Sequence, residues 1–191
     1  MYWNKLQTFK TDYKQGEPNM MYILHKLWLR HVNIRIRRTA EKIGNGFRNN
    51  SIESRVNRNT IIGEDVSFNG IKIIGEGPVI IGNRFHCGEG CYIISENHDY
   101  DEGNELPYDS LRSITKKVII EDNVWLGVCV IILPGAHIKE GAIIQAGSVV
   151  SGEIAKCGIA GGHPATVFKY RNISHYEELK RMGKFVHNNP N

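Results

Sequence analysis

The sequence predicts an all-β fold, a parallel β-helix of hexapeptide repeats flanked by an N-terminal helical segment and a short C-terminal helix. Between Ile120 and Val150 an aliphatic residue opens every block of six residues. These residues are Ile120, Leu126, Ile132, Ile138, Ile144 and Val150. A six-residue period is typical of coils with three short strands, in which equivalent residues of successive coils stack into a ladder.

A looser form of the repeat begins near Ile52 and predicts further coils before the regular segment. The step of six passes through Ile62, Phe68, Ile74 and Ile80, and a slip at Gly77-Pro78 moves it to Ile81, Cys87 and Ile93. Gly63, Gly75, Gly82 and Gly88 follow these positions, where we expect corners with unusual backbone angles. We therefore place the β-helix at residues 52–172.

One segment interrupts the repeat. Residues 95–117 are polar and turn-rich and carry no six-residue period. A long excursion inside a compact domain is uncommon, and it is usually functional. We therefore interpret residues 95–117 as an extended active-site loop.

The segments on either side of the β-helix are predicted to be helical in part. The apolar spacing from Met20 to Val32 predicts a helix with Asn19 as its N-cap, and the alternation over residues 32–37 predicts a strand. In the C-terminal segment, residues 173–191, a capping-box pattern at Ser174–Glu177 predicts a second helix.

Charge within the N-terminal segment, residues 1–51, and just beyond it is uneven. Between Lys26 and Arg58 nine residues are basic, and only Glu41 and Glu53 are acidic. This pattern fits a solvated face, attraction to an anionic substrate, or association with a membrane surface. Nucleic acid is not predicted as a partner, because no nucleic-acid-binding motif accompanies the charge.

The cellular location is predicted from two kinds of targeting segment that we do not find in the sequence. We find no apolar run long enough for a transmembrane helix and no signal-peptide pattern, so the expected location is cytoplasmic. The four cysteines are expected to be free thiols, and those at ladder positions are explained by packing. The spacing of His86, Cys87, Cys91 and His98 fits a metal site poorly, so no metal is expected.

Three motifs carry a resemblance to a known family: NVWLG at 123–127, IQAGSVV at 144–150 and AGGHPATV at 160–167. With Asn97-His98 in the interrupting loop, they resemble the left-handed β-helix, hexapeptide-repeat sugar O-acetyltransferases, over roughly residues 60–172. The resemblance implies acetyl-CoA as donor, homotrimers with active sites between subunits, and a catalytic histidine in the loop. His98 matches that histidine.

The resemblance also assigns roles to other residues. Residues matching the family's cofactor contacts are Trp125, Gly127, Val128, Ala146, Ser151, Thr166 and Lys169. Thr166 is not basic, as the family's residue often is, and Gly152 stands where the family has a lysine. We expect Lys156 and Arg171 to compensate for the missing charge. Asn97, Asp99 and Tyr100 surround His98 and are the candidates for binding the acceptor.

The predicted reaction is transfer of acetyl to a sugar hydroxyl, with His98 as general base and a backbone N–H near Gly127-Val128 as oxyanion donor. The basic N-terminal helix does not match the small-sugar enzymes. It favours a capsule, exopolysaccharide or lipopolysaccharide precursor as acceptor. An N-acetyltransferase of amino sugars, an acetyltransferase of streptogramin-type antibiotics and a non-catalytic trimeric scaffold stay open as alternatives.

Overall fold

A computed structural model describes residues 20–186, which form a stack of three-sided coils. We name the three sides faces A, B and C in the order in which the chain passes through them. Face A contains β1 (Lys42–Ile43), β3 (Thr60–Ile62), β6 (Val79–Ile81), β11 (Val118–Ile120), β14 (His137–Ile138) and β17 (Glu153–Ile154), all paired in parallel.

Faces B and C complete each coil. Face B contains β2 (Arg48–Asn49), β4 (Ser67–Phe68), β7 (His86–Cys87), β12 (Trp125–Leu126), β15 (Ile143–Ile144), β18 (Gly158–Gly162) and β19 (Ala165–Tyr170), of which only β19 is antiparallel. Face C contains β5 (Ile71–Ile74), β8 (Cys91–Ile94), β13 (Ile131–Ile132) and β16 (Val149–Val150). The predicted parallel β-helix is confirmed.

The core of the stack is the predicted ladder. On face A, Ile62, Ile81, Ile120, Ile138 and Ile154 are paired in register and buried. Each such side chain contributes roughly 1.5–3 kcal/mol of transfer free energy, but only where another coil covers it. The four cysteines are free, and three of them are buried.

Two details of the predicted ladder are wrong in the early coils. Ile74 and Ile80 are only partly buried, whereas Ile73 and Ile81 occupy the ladder. Strand β5 has four residues rather than two, so this coil is longer than the regular ones and the step of six misses its inward positions.

The stack begins earlier than residue 52. Strands β1 and β2 already pair with the next coil, and the buried Asn49 stands opposite Phe68 in the ladder of face B. A polar residue at a ladder position conceals the aliphatic period there.

Most of the glycines after ladder residues serve close approach rather than unusual backbone angles. A Cβ on Gly82 would lie 2.7 Å from the Asp122 nitrogen of the next coil, and Gly63 and Gly88 are equally tight. Gly75 alone among the four has positive φ, at 91°. The left-handed corner positions are instead held by other glycines, among them Gly90 and Gly141, and by residues such as Asp65, Arg84, Asn123 and Cys157.

Helix α1 (Met20–Thr39) covers the first coil, and the strand predicted over residues 32–37 is wrong. Val32 and Ile36, two of the three alternating apolar residues, lie one helical turn apart and are both buried, so they also fit one helix face, whereas Ile34 is exposed. The predicted cap, Asn19, lies outside the described residues. Within residues 20–186 no helix has the length and apolar character needed to cross a bilayer.

Helix α2 (Ile173–Arg181) follows the last strand and confirms the C-terminal helix. Its N-cap is Asn172, whose side-chain oxygen accepts the His175 N–H at 3.1 Å, so the capping box predicted at Ser174 is wrong. Asparagine caps helices as well as serine does, and Asn172 stands three residues before His175, whose N–H its side chain reaches.

Candidate active site

The interrupting segment forms an arm at the corner between faces C and A. It leaves the stack after β8 and returns at β11. Strands β9 (Glu96–His98) and β10 (Ser113–Thr115) pair antiparallel, with His98 opposite Ser113. The sequence therefore predicted the position of this segment, and the structure adds that it is an ordered two-stranded arm.

Two aspartates hold the tip of the arm. The Asp99 side chain is only 4% exposed; its carboxylate accepts the Glu102 N–H at 2.9 Å and pairs with Arg112 at 3.1 Å. Asp109 accepts backbone N–H groups of Asn104, Leu111 and Arg112, which keeps the pKa of Asp109 below its usual value. Asp99 was a candidate for binding the acceptor, but here its carboxylate is engaged by the arm itself.

His98 presents its ring at the end of β9. The imidazole is exposed and stacks on Tyr108 across the arm, with ring centroids 4.1 Å apart and planes 14° from parallel. Asn97 and Tyr100, the other acceptor candidates, are also exposed. Stacking restricts the ring to one plane, so His98 is oriented before any ligand arrives. Sequence reasoning missed Tyr108, whose aromatic character inside a polar loop was the available signal.

Glu96 lies two residues before His98 in the same strand. Its carboxylate accepts hydrogen bonds from the Ser113 hydroxyl and the Glu76 N–H, and these bonds, with the charge of His98, lower the pKa of Glu96. Among the described residues no carboxylate is in hydrogen-bond contact with the His98 ring. The ring is therefore positioned by stacking rather than by an acidic partner.

Several predicted cofactor residues form a column at the corner between faces B and C. Gly127 and Ala146 lie one above the other, and a Cβ on Gly127 would be 2.5 Å from the Ala146 nitrogen. Val128 is exposed beside Gly127. One coil further on, Gly161 lies against the Gln145 side chain, and Thr166 pairs with Gly161 from the antiparallel strand β19. This corner therefore brings backbone and small residues of successive coils close together along the coil axis.

The remaining predicted cofactor residues lie elsewhere. Trp125 is on face B and is 53% exposed, and Lys169 is exposed on β19. Ser151 is exposed after β16, beyond face C, and so does not join the column. The structure thus groups Gly127, Val128, Ala146 and Thr166, and it separates Ser151 from them.

Trp125 and Arg171 both line a cavity of about 360 Å³ between face B and helix α2. The cavity is lined by Arg84, His86, Asn123, Val124, Trp125, Arg171, Tyr176, Leu179, Lys180, Lys184, Phe185 and Val186. Sequence reasoning missed the basic and aromatic residues of the C-terminal segment, because only the folded chain shows that this segment returns to the stack. The available signal was the four-residue spacing of Tyr176 and Lys180, which places both on one helix face.

Helix α2 is fixed to the stack through Glu140. The Glu140 carboxylate accepts hydrogen bonds from Tyr176, at 2.9 Å, and from Lys180. Burial raises the pKa of Glu140, but these two bonds and the nearby cations outweigh burial and leave that pKa below its usual value. Arg171 donates to the Gly141 carbonyl at 2.7 Å. Three residues that line the cavity, Arg171, Tyr176 and Lys180, are therefore held in place by hydrogen bonds to the stack.

The structure does not bring His98 and Trp125 together within one chain. The arm leaves from the corner between faces C and A, and that corner is opposite face B in a three-sided coil. Among residues 20–186 no cluster of three His, Cys, Asp or Glu side chains could hold a metal ion.

Stacked parallel coils with a six-residue ladder, interrupted by a histidine-bearing arm, define the fold class as a hexapeptide-repeat β-helix. Residues 117–152 match the family model "Bacterial transferase hexapeptide (six repeats)". The resemblance to hexapeptide-repeat acetyltransferases of the sugar O-acetyltransferase branch is confirmed by the comparisons with known proteins.

Two curated proteins illustrate the similarity. The galactoside O-acetyltransferase of Lactococcus lactis is 32% identical over 107 residues, 56% of this chain and 50% of that protein. A putative lipopolysaccharide biosynthesis O-acetyl transferase of Escherichia coli K12 is 32% identical over 100 residues, 49% of this chain and 51% of that protein. The chain thus spans about half the length of these relatives.

The fold also matches solved structures. A hexapeptide-repeat acetyltransferase from Vibrio cholerae, crystallised with acetyl coenzyme A, superposes with a TM-score of 0.60. It is 19% identical, and the match covers 87% of this chain and 97% of that one. At this identity the likeness shows the fold alone.

Proposed function

We propose that this protein is an acetyl-CoA-dependent O-acetyltransferase that acts on a sugar hydroxyl, with His98 as general base. The observation that carries the proposal is the ordered arm, which holds an exposed imidazole against Tyr108 on the side of a hexapeptide-repeat β-helix. The two curated relatives are named as O-acetyl transferases, and this supports the same chemistry here.

Acetyl-CoA is proposed to lie along the corner between faces B and C. The extended pantetheine arm needs a strip without protruding side chains, and Gly127 and Ala146 provide one beside Trp125. The nucleotide end carries several negative charges. Lys169 beyond Thr166, or Arg171 and Lys184 in the cavity, would attract that end.

The chemical step begins when the neutral His98 imidazole takes the proton of the acceptor hydroxyl. The oxygen attacks the thioester carbonyl, and the tetrahedral intermediate carries its negative charge on the former carbonyl oxygen. The C–S bond then breaks, and the imidazolium returns the proton to the departing thiolate. Acetyl ester, free CoA thiol and neutral His98 result.

The oxyanion donor can be narrowed to one N–H. The Gly127 N–H donates to the Ile144 carbonyl at 2.8 Å and is therefore occupied. The Val128 N–H donates to no acceptor within the described part of the chain. We assign it as the donor, which sharpens the sequence prediction of a group near Gly127-Val128.

A homotrimer is proposed because one chain presents the two halves of the site on opposite sides. His98 at the corner between faces C and A would meet face B and the Gly127 column of a neighbouring chain. A closed ring in which every arm meets the next chain uses heterologous contacts, and three-fold closure satisfies all of them.

The acceptor class is proposed to be the sugar of a capsule, exopolysaccharide or lipopolysaccharide precursor. The Escherichia coli relative's name refers to lipopolysaccharide biosynthesis. An acetyl-transfer screen over nucleotide sugars, oligosaccharides, amino sugars and antibiotics tests this class against the amine and drug alternatives.

The role of His98 is tested with His98→Ala and a matched control, His175→Ala, whose ring is 63% exposed on helix α2. We expect kcat to fall about 10²–10⁴-fold for His98→Ala only, because a general base is removed while CoA binding is unchanged. Full activity of His98→Ala would disprove the mechanism. Failure of the wild-type chain to bind CoA in calorimetry would instead favour the scaffold.

A further inference from the structure

Helix α1 carries two apolar stripes on opposite sides. Val32 and Ile36 form the first, which is buried against the first coil. The second stripe consists of Met20, Ile23, Leu24, Leu27 and Ile34, spaced by three, four or seven residues, and all five side chains are exposed. Leu24 is 52% exposed, Leu27 57%, and the adjacent Trp28 57%. A helix that needed only to cover the coil would require one stripe.

The charge around the second stripe has one sign. Residues 20–40 contain five basic residues and no Asp or Glu. Arg30 and Arg35 project on the two flanks of the stripe, and Arg38 continues its line toward the coil. All three arginines are exposed. The surface therefore combines aliphatic and aromatic side chains with a positive rim.

We propose that helix α1 binds flat on an anionic lipid surface, with Leu24, Leu27 and Trp28 in the boundary between headgroups and acyl chains. Apolar insertion and attraction of Arg30 and Arg38 to lipid phosphates act together in such helices. Indole rings favour this boundary. The helix lies on the bilayer and does not cross it, in agreement with the absence of a spanning helix among residues 20–186.

Charge favours a lipid surface over a second copy of the chain. Two copies that packed this stripe against itself would bring the arginines on its flanks together. Residues 20–40 offer no carboxylate to neutralise them. Anionic lipid provides the missing counter-charge for each Arg near the surface.

The proposal is tested by co-sedimentation of the full chain with phosphatidylcholine vesicles, with and without phosphatidylglycerol. Three chains are compared: wild type, the double variant Leu24→Gln/Leu27→Gln, and the control Leu111→Gln, whose leucine is 93% exposed on the arm. We expect binding to anionic vesicles that weakens with added salt. The double variant should lose about tenfold in affinity per leucine, and the control should bind like wild type.

Light scattering without lipid tests whether a second copy of the chain, rather than lipid, covers the second stripe. The proposal requires wild type, the double variant and the control to have the same molar mass in solution. A change of mass in the double variant would show that a second copy covers the stripe. Absence of binding to anionic vesicles, or equal binding with and without phosphatidylglycerol, would also overturn the proposal. Acetyl transfer to a soluble acceptor is measured in parallel and is expected to be unchanged in the double variant.

Discussion

The spacing between coils depends on glycines such as Gly88, and Gly88→Ala tests this directly. A Cβ at this position would lie 2.7 Å from the Val128 nitrogen and 2.9 Å from the Gly127 carbonyl carbon. Both atoms belong to the backbone of the next coil. That coil is tied to its neighbour by the Gly88 N–H, which donates to the Leu126 carbonyl at 2.9 Å. The Val128 nitrogen and the Gly127 carbonyl carbon therefore cannot move away as the end of a flexible side chain would.

The destabilisation expected for Gly88→Ala follows from the overlap between the added Cβ and the backbone of the next coil. Ordinary contact begins near 3.4 Å, so the two coils must separate by several tenths of an ångström or lose a backbone hydrogen bond. Overpacking of this kind costs about 1–3 kcal/mol, and we expect the upper end because only backbone can yield. For a chain of this length about 3 kcal/mol lowers Tm by roughly 6–12 °C.

Thermal unfolding followed by circular dichroism measures the change. The matched control is Gly152→Ala, because an added Cβ there has no heavy atom within 4 Å and its φ is not left-handed. The control should unfold within about 0.5 kcal/mol of wild type or be slightly more stable. If Gly88→Ala and Gly152→Ala melt at the same temperature, close coil approach does not explain these glycines.

Two further predictions concern the site and pH. Unfolding and refolding a one-to-one mixture of inactive His98→Ala and Trp125→Ala chains should restore about a quarter of the sites, because each site combines two chains; no recovery would argue against sites between subunits. Glu140 has a pKa below its usual value, so its stabilising contribution is present above its unfolded-state pKa, near 4.5, and is lost as pH falls through the folded-state pKa. We therefore expect Glu140→Gln to lower Tm at neutral pH and to match wild type in strong acid, and a constant difference in Tm from pH 7 to pH 3 would contradict the role of the Lys180 and Tyr176 bonds.

The sequence predicts the regular coils well because each ladder residue meets a chemically similar residue of the next coil. The prediction fails where a polar residue hides the six-residue period, or where a segment fits the periods of two different elements. Asn49 occupies a ladder position, so the first coil is not visible as a repeat. Residues 32–37 satisfy the periods of both a strand and a helix, and only packing of Val32 and Ile36 on the first coil decides between them.

The candidate site likewise has one part that the sequence predicts and another that it does not. The position of His98 is predictable because the period stops there, and the column at Gly127 because its motif is part of the repeat. The stacking of His98 on Tyr108 and the cavity beneath helix α2 depend on tertiary contacts between distant residues. No local pattern records such contacts, and the sequence could supply only the residue types.

The ends of the stack differ from its middle. The strands of the first and last rungs pair on one side only, and an uncovered end of this kind is a template for another molecule. Helix α1 covers the first rung, and the antiparallel β19 reverses direction over the last rung of face B. Elements that break the repeat therefore cover the first coil and the last rung of face B, and there they oppose the addition of further coils from another molecule.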